Sequence, residues 1–556
     1  MTQNRRSLRS SETKRKSHSS SQLLLRGWLA LSLAVLLIQA TAGAQSPMTL
    51  HGDEGVDAGA HVAADVAADV AADVAVVAPV VDPQDLRKEV VGSPRGPGSP
   101  GQVRRKLKRL IDGARFPKGS LGLWVGLAND SSANAPAIFE MASEQKMIPA
   151  SVTKIATAAA ALELLPPGYK IPTRLMSAAS IEGDRLRGDL YLVGGGDPTF
   201  VSENLWFLVN EFLRTGVRQI EGSLIVDDTL FDQERYAEDR PGVRVDRAYD
   251  APMGAMSFNW NSVTVWVRPS DQVGQAARVH MDFESDYVKL VNQSKTVAGR
   301  GNDISVSRRT QNGIEVVTVS GQIGRDANEK PYYKSITRPD LWAGHSAVQF
   351  LASRGVKLKG DVRSGKLPTS ARQLAVAESR PIAQIIADMM KWSSNFSAET
   401  ISRLIAVQRG KTSVTAEDGR LAVANWLSKE VGLPSASFKL VNVAGFNRGN
   451  EFRARDLGKI LSYAQTHFQI YPEFLTSMPV AGVDGTLRSR FKALPGAGWV
   501  RAKTGLLDGV VGLSGYAGTR SGQIYRFVFI FNGPAGRGED ARQLFDRLAS
   551  ALVSDG

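Results

Sequence analysis

The chain of 556 residues has no cysteine and only six histidines. The absence of cysteine excludes disulfides, thiol catalysis and thiolate metal sites. The histidines form neither an H-E-x-x-H motif nor a close pair with ligand spacing, which argues against a zinc hydrolase. No G-x-S-x-G element supports a Ser-His-Asp hydrolase either. We therefore expect neither a metal nor another cofactor.

Acidic residues are fewer than basic ones, 55 against 68, and the net charge is +13. Seven basic residues and one acidic residue lie in residues 1–44, so the rest of the chain carries only +7. No nucleic-acid-binding motif or dense basic and aromatic patch accompanies this charge. We expect no nucleic-acid partner, and at most a weak attraction to an anionic membrane or polymer surface.

The N-terminal residues have the pattern of a secretory leader. Residues 27–38 are apolar and follow a basic segment, and small residues precede position 45. The apolar run is short for a spanning helix, which needs about 20 residues. This pattern predicts a signal peptide at residues 1–44 and a periplasmic or secreted protein, with an uncleaved anchor as the alternative. Residues 45–104 contain V-A-A-D repeats and a Pro/Gly-rich stretch, which predict a flexible linker.

The rest of the chain has a mixed α/β (α+β) pattern. Strands are predicted at residues 120–128 and 137–141, and a long β-rich block follows residue 166. Helices are predicted to return at residues 341–353 and 382–392. Near the C-terminus, residues 499–506 form a predicted strand with 511–517 and 525–531 as its antiparallel neighbours.

Ser151 and Lys154 open an alanine-rich segment that predicts a helix ending at Pro166. Their spacing of three places both side chains on one helix face. A lysine with a lowered pKa can take a serine proton, and a helix N-terminus favours the developing anion. The S-x-x-K pattern is weak alone, because it also occurs elsewhere in this chain, for example at Ser11 and Ser143, and fits a capped, solvated helix start.

Two further motifs follow Ser151-x-x-Lys154 in order. They are Ser393-x-Asn395 and Lys503-Thr504-Gly505. The three together are the motif set of penicillin-binding proteins and related serine β-lactamases. K-T-G occurs once in the chain, on a predicted strand with β neighbours, which is the context that this set requires.

In these motifs the chain resembles the D-alanyl-D-alanine carboxypeptidase/endopeptidase family of low-molecular-mass penicillin-binding proteins (serine peptidase family S13). The likeness covers nearly all of residues 105–556, including a gap of 242 positions from Ser151 to Ser393. It also rests on segments 188–198, Asp250-Ala251-Pro252, Asn259-Trp260-Asn261 and 480–487.

The resemblance implies a penicillin-binding, transpeptidase-like domain formed by residues 105–172 and 352–556. This domain would combine an antiparallel sheet with a helical subdomain. Two β-rich domains, residues 173–351, would be inserted between its halves.

The resemblance also implies an activity. The chain would be a serine-type D-alanyl-D-alanine carboxypeptidase or endopeptidase acting on peptidoglycan stem peptides or cross-links. Ser151 would form the acyl-enzyme, and β-lactams would trap it as covalent inhibitors. Lys154 would be the general base, its pKa lowered by burial beside a second cation, Lys503. Ser393 would relay the proton to the leaving amine, and Asn395 would hold the substrate amide.

The resemblance assigns substrate-binding residues to the K-T-G strand. Lys503 and Thr504 would bind the terminal carboxylate. Gly505 and Leu506 continue this strand, and the backbone N–H groups of Leu506 and Ser151 would form the oxyanion hole.

One segment departs from the family pattern. Residues 442–448 read N-V-A-G-F-N-R where the family often has D-G-S-G-L-S-R. The arginine survives as Arg448, which we expect to bind a substrate carboxylate, with a surface ion pair as the alternative.

Two other functions remain open for this scaffold. A β-lactamase or esterase is one, although the long insertion argues against it. A non-catalytic cell-wall-binding protein is the other, although the intact serines and lysines argue against it. The sequence does not choose between carboxypeptidase and endopeptidase or indicate an oligomeric state.

Overall fold

The computed structural model describes residues 99–554, except for 129–136, 237–245, 247, 249, 250 and 284. The predicted signal peptide, most of the predicted linker and Asp250 lie outside the described residues. Helix α1, Pro100–Ala114, begins inside the region that we expected to be linker, because Ser99 and Gln102 form a capping box and Pro100 occupies the first turn. No helix in the described part of the chain is long and apolar enough to span a membrane.

Three strands, a turn and a helix follow α1. They are β1 (Leu121–Leu127), β2 (Phe139–Met141), β3 (Lys146–Met147), a 3₁₀ turn at Ala150–Thr153 and α2 (Lys154–Leu164). Helix α2 is buried on every side from Lys154 to Leu162, as expected for an alanine-rich helix without a polar face. It ends before Pro166, which cannot continue it.

The following region is β-rich but also contains two helices. Its elements are β4 (Pro172–Ser177), β5 (Ile181–Glu182), β6 (Arg185–Leu186), β7 (Leu190–Val193), α3 (Ser202–Leu213), β8 (Gln219–Ile220), β9 (Leu224–Asp227), β10 (Ser262–Arg268), β11 (Arg278–Met281), β12 (Val288–Asn292), β13 (Lys295–Val297), β14 (Ser305–Gln311), β15 (Ile314–Ser320), β16 (Gln322–Gly324), β17 (Lys330–Ser335), α4 (Pro339–Ser353), β18 (Lys357–Leu358), β19 (Val362–Ser364) and β20 (Arg372–Glu378).

The sheets of this region extend beyond residue 351, the boundary that the family resemblance implied. Strand β20 pairs antiparallel with β4, and β19 pairs in parallel with β9. Residues up to Glu378 therefore belong to sheets that begin at Pro172. A hydrophobic cluster of its own, built around Phe258 and Trp342, fills this region.

The chain then returns to helices and closes with three long strands. The elements are α5 (Ile382–Trp392), α6 (Asn395–Gln408), α7 (Ala416–Lys429), β21 (Phe452–Arg453), α8 (Ala454–Thr466), α9 (Tyr471–Ser477), β22 (Val500–Leu507), β23 (Val510–Gly518), β24 (Ile524–Asn532) and α10 (Gly538–Val553).

The first and last strands of the described chain form one antiparallel sheet of order β2-β1-β24-β23-β22. The predicted antiparallel sheet is confirmed, but the prediction that segment 525–531 lies beside β22 was wrong. Strand β24 pairs with β1 and β23, not with β22. Strand β22, which carries Lys503, Thr504 and Gly505, is consequently the last strand at this edge of the sheet.

The sheet is buried on both faces. In β24, Phe527 and Phe529 pack in the cluster shared with α1 and α10, whereas Val528 and Ile530 pack in the cluster shared with α2, α5 and α6. Alternate residues of a strand point to opposite faces, so a continuous apolar strand such as β24 can serve two cores. The second cluster fixes α2, and therefore Ser151 and Lys154, against the sheet.

Candidate active site

Ser151 lies in the 3₁₀ turn that precedes α2, and the regular α-helix begins only at Lys154. Ala150, just before the serine, has a positive φ of 49°, which is uncommon for a residue with a side chain. The expected proximity is present despite the tighter turn. The Lys154 ammonium donates to the Ser151 hydroxyl over 3.1 Å.

Lys154 is fully buried, with 0% exposure. Its Nζ also donates to Asn395 Oδ1 at 2.7 Å and to the carbonyl of Ala444 at 2.6 Å. Burial lowers the pKa of Lys154 to about 7, and the negative charge of Glu399 opposes this shift. An amine in this environment can lose its proton near neutral pH, which a general base requires.

Ser393 and Asn395 occupy the short junction between α5 and α6. Ser393 follows α5 with a left-handed backbone, φ 59°, and Ser394 caps α6 by accepting from the Ser397 N–H. Asn395 is the first residue of α6. The turn at Ser393 and Ser394 directs the Asn395 amide to Lys154 and the Ser393 hydroxyl to Lys503.

Lys503 is also fully buried, and it donates to Ser393 Oγ at 2.8 Å and to the Thr504 carbonyl at 2.7 Å. Burial, with a further contribution from the positive charge of Lys154, lowers the pKa of Lys503 well below its usual value. We expected burial beside Lys503 to lower the pKa of Lys154. Burial is the main cause of the lowered pKa of both amines, and their two positive charges repel each other.

The exposed edge of β22 lies beside the Ser151 turn. Ala502 donates its N–H to the Pro479 carbonyl on this edge. Backbone groups of a strand alternate between its two sides, so those of Thr504 and Leu506 point to the same edge. No backbone partner covers the edge at these two positions within the described part of the chain. A side chain at Gly505 would come within 2.6 Å of the Pro149 carbonyl, so glycine permits this close approach.

Two other predicted residues have partners near this strand. The Thr504 hydroxyl donates to the Thr486 hydroxyl at 2.8 Å. Arg448 is exposed and donates to the Asp508 carbonyl at 2.8 Å, at the turn after β22. The structure thus brings two hydrogen-bonded groups into one site, Lys154 with Ser151 and Asn395, and Lys503 with Ser393. Arg448 lies at the margin of this site, and its role in binding stays a prediction.

Two groups that contact or influence Lys154 were not predicted from the sequence. The Ala444 carbonyl has no sequence signal, because any residue has a carbonyl. Glu399 follows Asn395 by four residues, a spacing that places both on one face of a predicted helix and could have indicated it. Among the described residues no group of three His, Asp or Glu side chains is arranged to hold a metal ion.

Comparison with known families agrees with this geometry. The model of the D-Ala-D-Ala carboxypeptidase 3 (S13) family matches residues 106–552. The chain belongs to this family. The family predicted from the motifs is confirmed, and the protein is accordingly a serine-type peptidase of the penicillin-binding protein class.

Characterised relatives match most of this S13 peptidase. A D-alanyl-D-alanine carboxypeptidase of Actinomadura sp. (strain R39) is 32% identical over 453 residues, which are 78% of this chain and 82% of the relative. The D-alanyl-D-alanine carboxypeptidase DacB of Haemophilus influenzae is 25% identical over 397 residues, 70% of this chain and 81% of the relative.

A solved structure supports the fold of this S13 peptidase. Penicillin binding protein 4 (dacB) from Haemophilus influenzae superimposes with a TM-score of 0.67 at 22% identity, covering 80% of this chain and 99% of that one. The same protein in complex with a β-lactam gives a TM-score of 0.63, covering 79% of this chain and 97% of that one. At this identity the likeness concerns the fold.

Proposed function

We propose that this S13 peptidase is a D-alanyl-D-alanine carboxypeptidase that acts on peptidoglycan peptides through an acyl-enzyme on Ser151. The observation that carries the proposal is the 3.1 Å hydrogen bond between Ser151 and a fully buried Lys154. The name of the Actinomadura relative supports the substrate class. The β-lactam complex of the Haemophilus influenzae protein supports inhibition by β-lactams.

In the acylation step, neutral Lys154 accepts the proton of Ser151 while the serine oxygen attacks the carbonyl before the terminal D-alanine. The new ammonium keeps two acceptors, Asn395 Oδ1 and the Ala444 carbonyl. These acceptors stabilise the charge that forms on Lys154 as the reaction proceeds. Asn395 also offers its NH₂ group to the substrate amide.

The leaving D-alanine requires a proton on its amine when the carbon–nitrogen bond breaks. The Ser393 hydroxyl gives its proton to this amine and takes one from the Lys503 ammonium, to which it is hydrogen-bonded. Water then attacks the ester and loses a proton to Lys503 through Ser393, while the Lys154 ammonium returns its proton to the Ser151 oxygen. This cycle consumes one water and regenerates the serine.

Substrate binding uses the exposed edge of β22. An extended peptide adds to this edge, because the backbone groups of Thr504 and Leu506 face it. Lys503 and Thr504 bind the terminal carboxylate, with Arg448 at the margin of the site as a further candidate. The N–H groups of Leu506 and Ser151 stabilise the oxyanion.

We also propose a periplasmic or secreted location, which rests on the signal peptide predicted at residues 1–44. In that compartment the enzyme would meet peptidoglycan peptides directly.

Labelling with a fluorescent penicillin tests the proposal. The unchanged protein should give a stable fluorescent band, and Ser151→Ala should give none. Ser143→Ala is the matched control, because Ser143 begins another S-x-x-K sequence and should not affect labelling. A peptide ending in D-Ala-D-Ala should release D-alanine only with an intact Ser151. Equal labelling of Ser151→Ala, or rapid penicillin hydrolysis without peptide cleavage, would contradict the carboxypeptidase proposal.

A further inference from the structure

Three residues lie on one face of α6 at intervals of four: Asn395, Glu399 and Arg403. Asn395 contacts Lys154, as described above. Glu399 and Arg403 are both buried, with 5% and 1% exposure. A buried carboxylate is costly unless it is paired and hydrogen-bonded, so the position of Glu399 calls for a specific reason.

Glu399 is connected to Lys154 through one loop. Its carboxylate accepts from Arg403 Nη1 at 3.3 Å and from the side-chain amide of Asn442. The Oδ1 atom of Asn442 accepts from the N–H groups of Ala444, at 3.0 Å, and Phe446, at 3.2 Å. The carbonyl of that same Ala444 accepts from Lys154 at 2.6 Å.

We propose that Glu399 is a positioning residue for the general base Lys154. It anchors Asn442, so that the Ala444 carbonyl meets the ammonium, and its charge sets the pH range in which Lys154 accepts the serine proton. This inference rests on the proposed function, in which Lys154 is the base.

The charges around Lys154 give the sign of the effect. Glu399 faces it from α6 and favours the ammonium, whereas Lys503 faces it from β22 and disfavours it. Arg403 bonds to Glu399 and partly neutralises it. Consistent with this arrangement, the Glu399 charge raises the pKa of Lys154 against the larger lowering by burial.

Glu399→Gln keeps the side-chain shape and removes the charge. The test measures the second-order rate of acylation by a fluorescent penicillin from pH 4.5 to 9. Loss of the charge should move the acid limb of the profile about one pH unit lower. The plateau rate should also fall severalfold, because a weaker base transfers the proton less well.

Glu163→Gln is the matched control. The Glu163 carboxylate accepts hydrogen bonds from Trp426 Nε1 and from the Tyr463 hydroxyl, each at 2.8 Å. Glu163→Gln therefore also removes the charge of a carboxylate that accepts two hydrogen bonds. It lies on α2 nine residues after Lys154, about 13 Å along the helix. This variant can lose stability without any effect on Lys154. The acid limb of its pH–rate profile should therefore stay at the pH of the unchanged protein.

A second variant, Glu399→Gln with Arg403→Met, removes both charges of the buried pair. Replacing a buried ion pair by uncharged side chains is often neutral for stability, so this variant should fold if the single one does not. Its acid limb should also move to lower pH. An unshifted limb in either folded variant overturns the proposal, and failure of both to fold assigns Glu399 a purely structural role. Absence of acylation in the unchanged protein would instead refute the proposed function, and this inference with it.

Discussion

Lys154 and Lys503 each hold a different serine of the site. Lys154 donates to Ser151 at 3.1 Å, and Lys503 donates to Ser393 at 2.8 Å. Both amines are fully buried, and the positive charge of Lys154 lowers the pKa of Lys503. Two ammonium groups in one buried site repel each other, so the site favours one proton over two and the amines titrate as a coupled pair.

This coupling leads to a pH dependence for acylation. Lys154 acts as a base only when neutral, and burial lowers its pKa to about 7. The acylation rate should therefore rise about tenfold per pH unit below this value and level off above it. Lys154→Arg should abolish the acid limb of the pH–rate profile and lower the acylation rate at least about a thousandfold. The reason is that a guanidinium does not lose its proton at these pH values.

The measurement is the rate of penicillin acylation across pH, with circular dichroism to verify that Lys154→Arg is folded. Lys106→Arg is a suitable control, since Lys106 lies on α1 and donates to the Ala551 carbonyl rather than to a residue of the site. A limb near pH 10, the range of an ordinary lysine, would contradict Lys154 as a buried base.

Thr486 is predicted to position the Thr504 side chain for the substrate carboxylate. When the Thr504 hydroxyl turns to donate to the carboxylate, the Thr486 hydroxyl can donate to Thr504 in exchange. Thr486→Val removes the acceptor of a 2.8 Å hydrogen bond at nearly constant volume. A lost hydrogen bond of about 1 kcal/mol corresponds to about a fivefold rise in KM for a D-Ala-D-Ala peptide, with a smaller change in kcat. Thr486→Ser keeps the hydroxyl and should behave as the unchanged protein. Equal KM values for the two variants would show that this hydrogen bond does not orient Thr504.

Gly505 is predicted to be necessary for the approach of β22 to the Ser151 turn. In Gly505→Ala the new Cβ would lie 2.6 Å from the Pro149 carbonyl, so the strand and the turn must separate. Such overpacking costs about 1–3 kcal/mol of stability and should reduce acylation.

Gly113→Ala is the matched control for this substitution. Gly113 lies on α1, and among the described residues a Cβ added there would meet no heavy atom within 4 Å beyond its chain neighbours and the backbone of its own helix. Alanine therefore fits at this position and should stabilise the helix by up to about 1 kcal/mol. Thermal unfolding and penicillin acylation of both variants test the pair. Full activity of Gly505→Ala would contradict the close approach.

Much of this protein could be predicted from local sequence. The spacing of Ser151 and Lys154 and the proline after α2 specify a nucleophile, an amine and the end of a helix within one short segment. The alternation of polar and apolar residues predicted the strands, and the motif order predicted the family. These features are set by residues that are close in sequence, and steric and hydrogen-bonding preferences are strong over such short segments.

Strand pairing was less predictable. The segment 525–531 was expected beside β22, but β23 separates them and β1 takes the other side of β24. Sheet order depends on contacts between distant parts of the chain, which hydrophobic alternation does not encode.

The sequence alone determined the family and the candidate site residues, because the motifs and their helical spacing are local. Only the tertiary structure decided how those residues behave. Packing of α2 against the sheet buries Lys154 and lowers its pKa, and the fold brings Asn395, Glu399 and the Ala444 carbonyl to it from distant segments. Proton affinity depends on solvent exclusion and on nearby charges, and both arise only when the separate segments assemble.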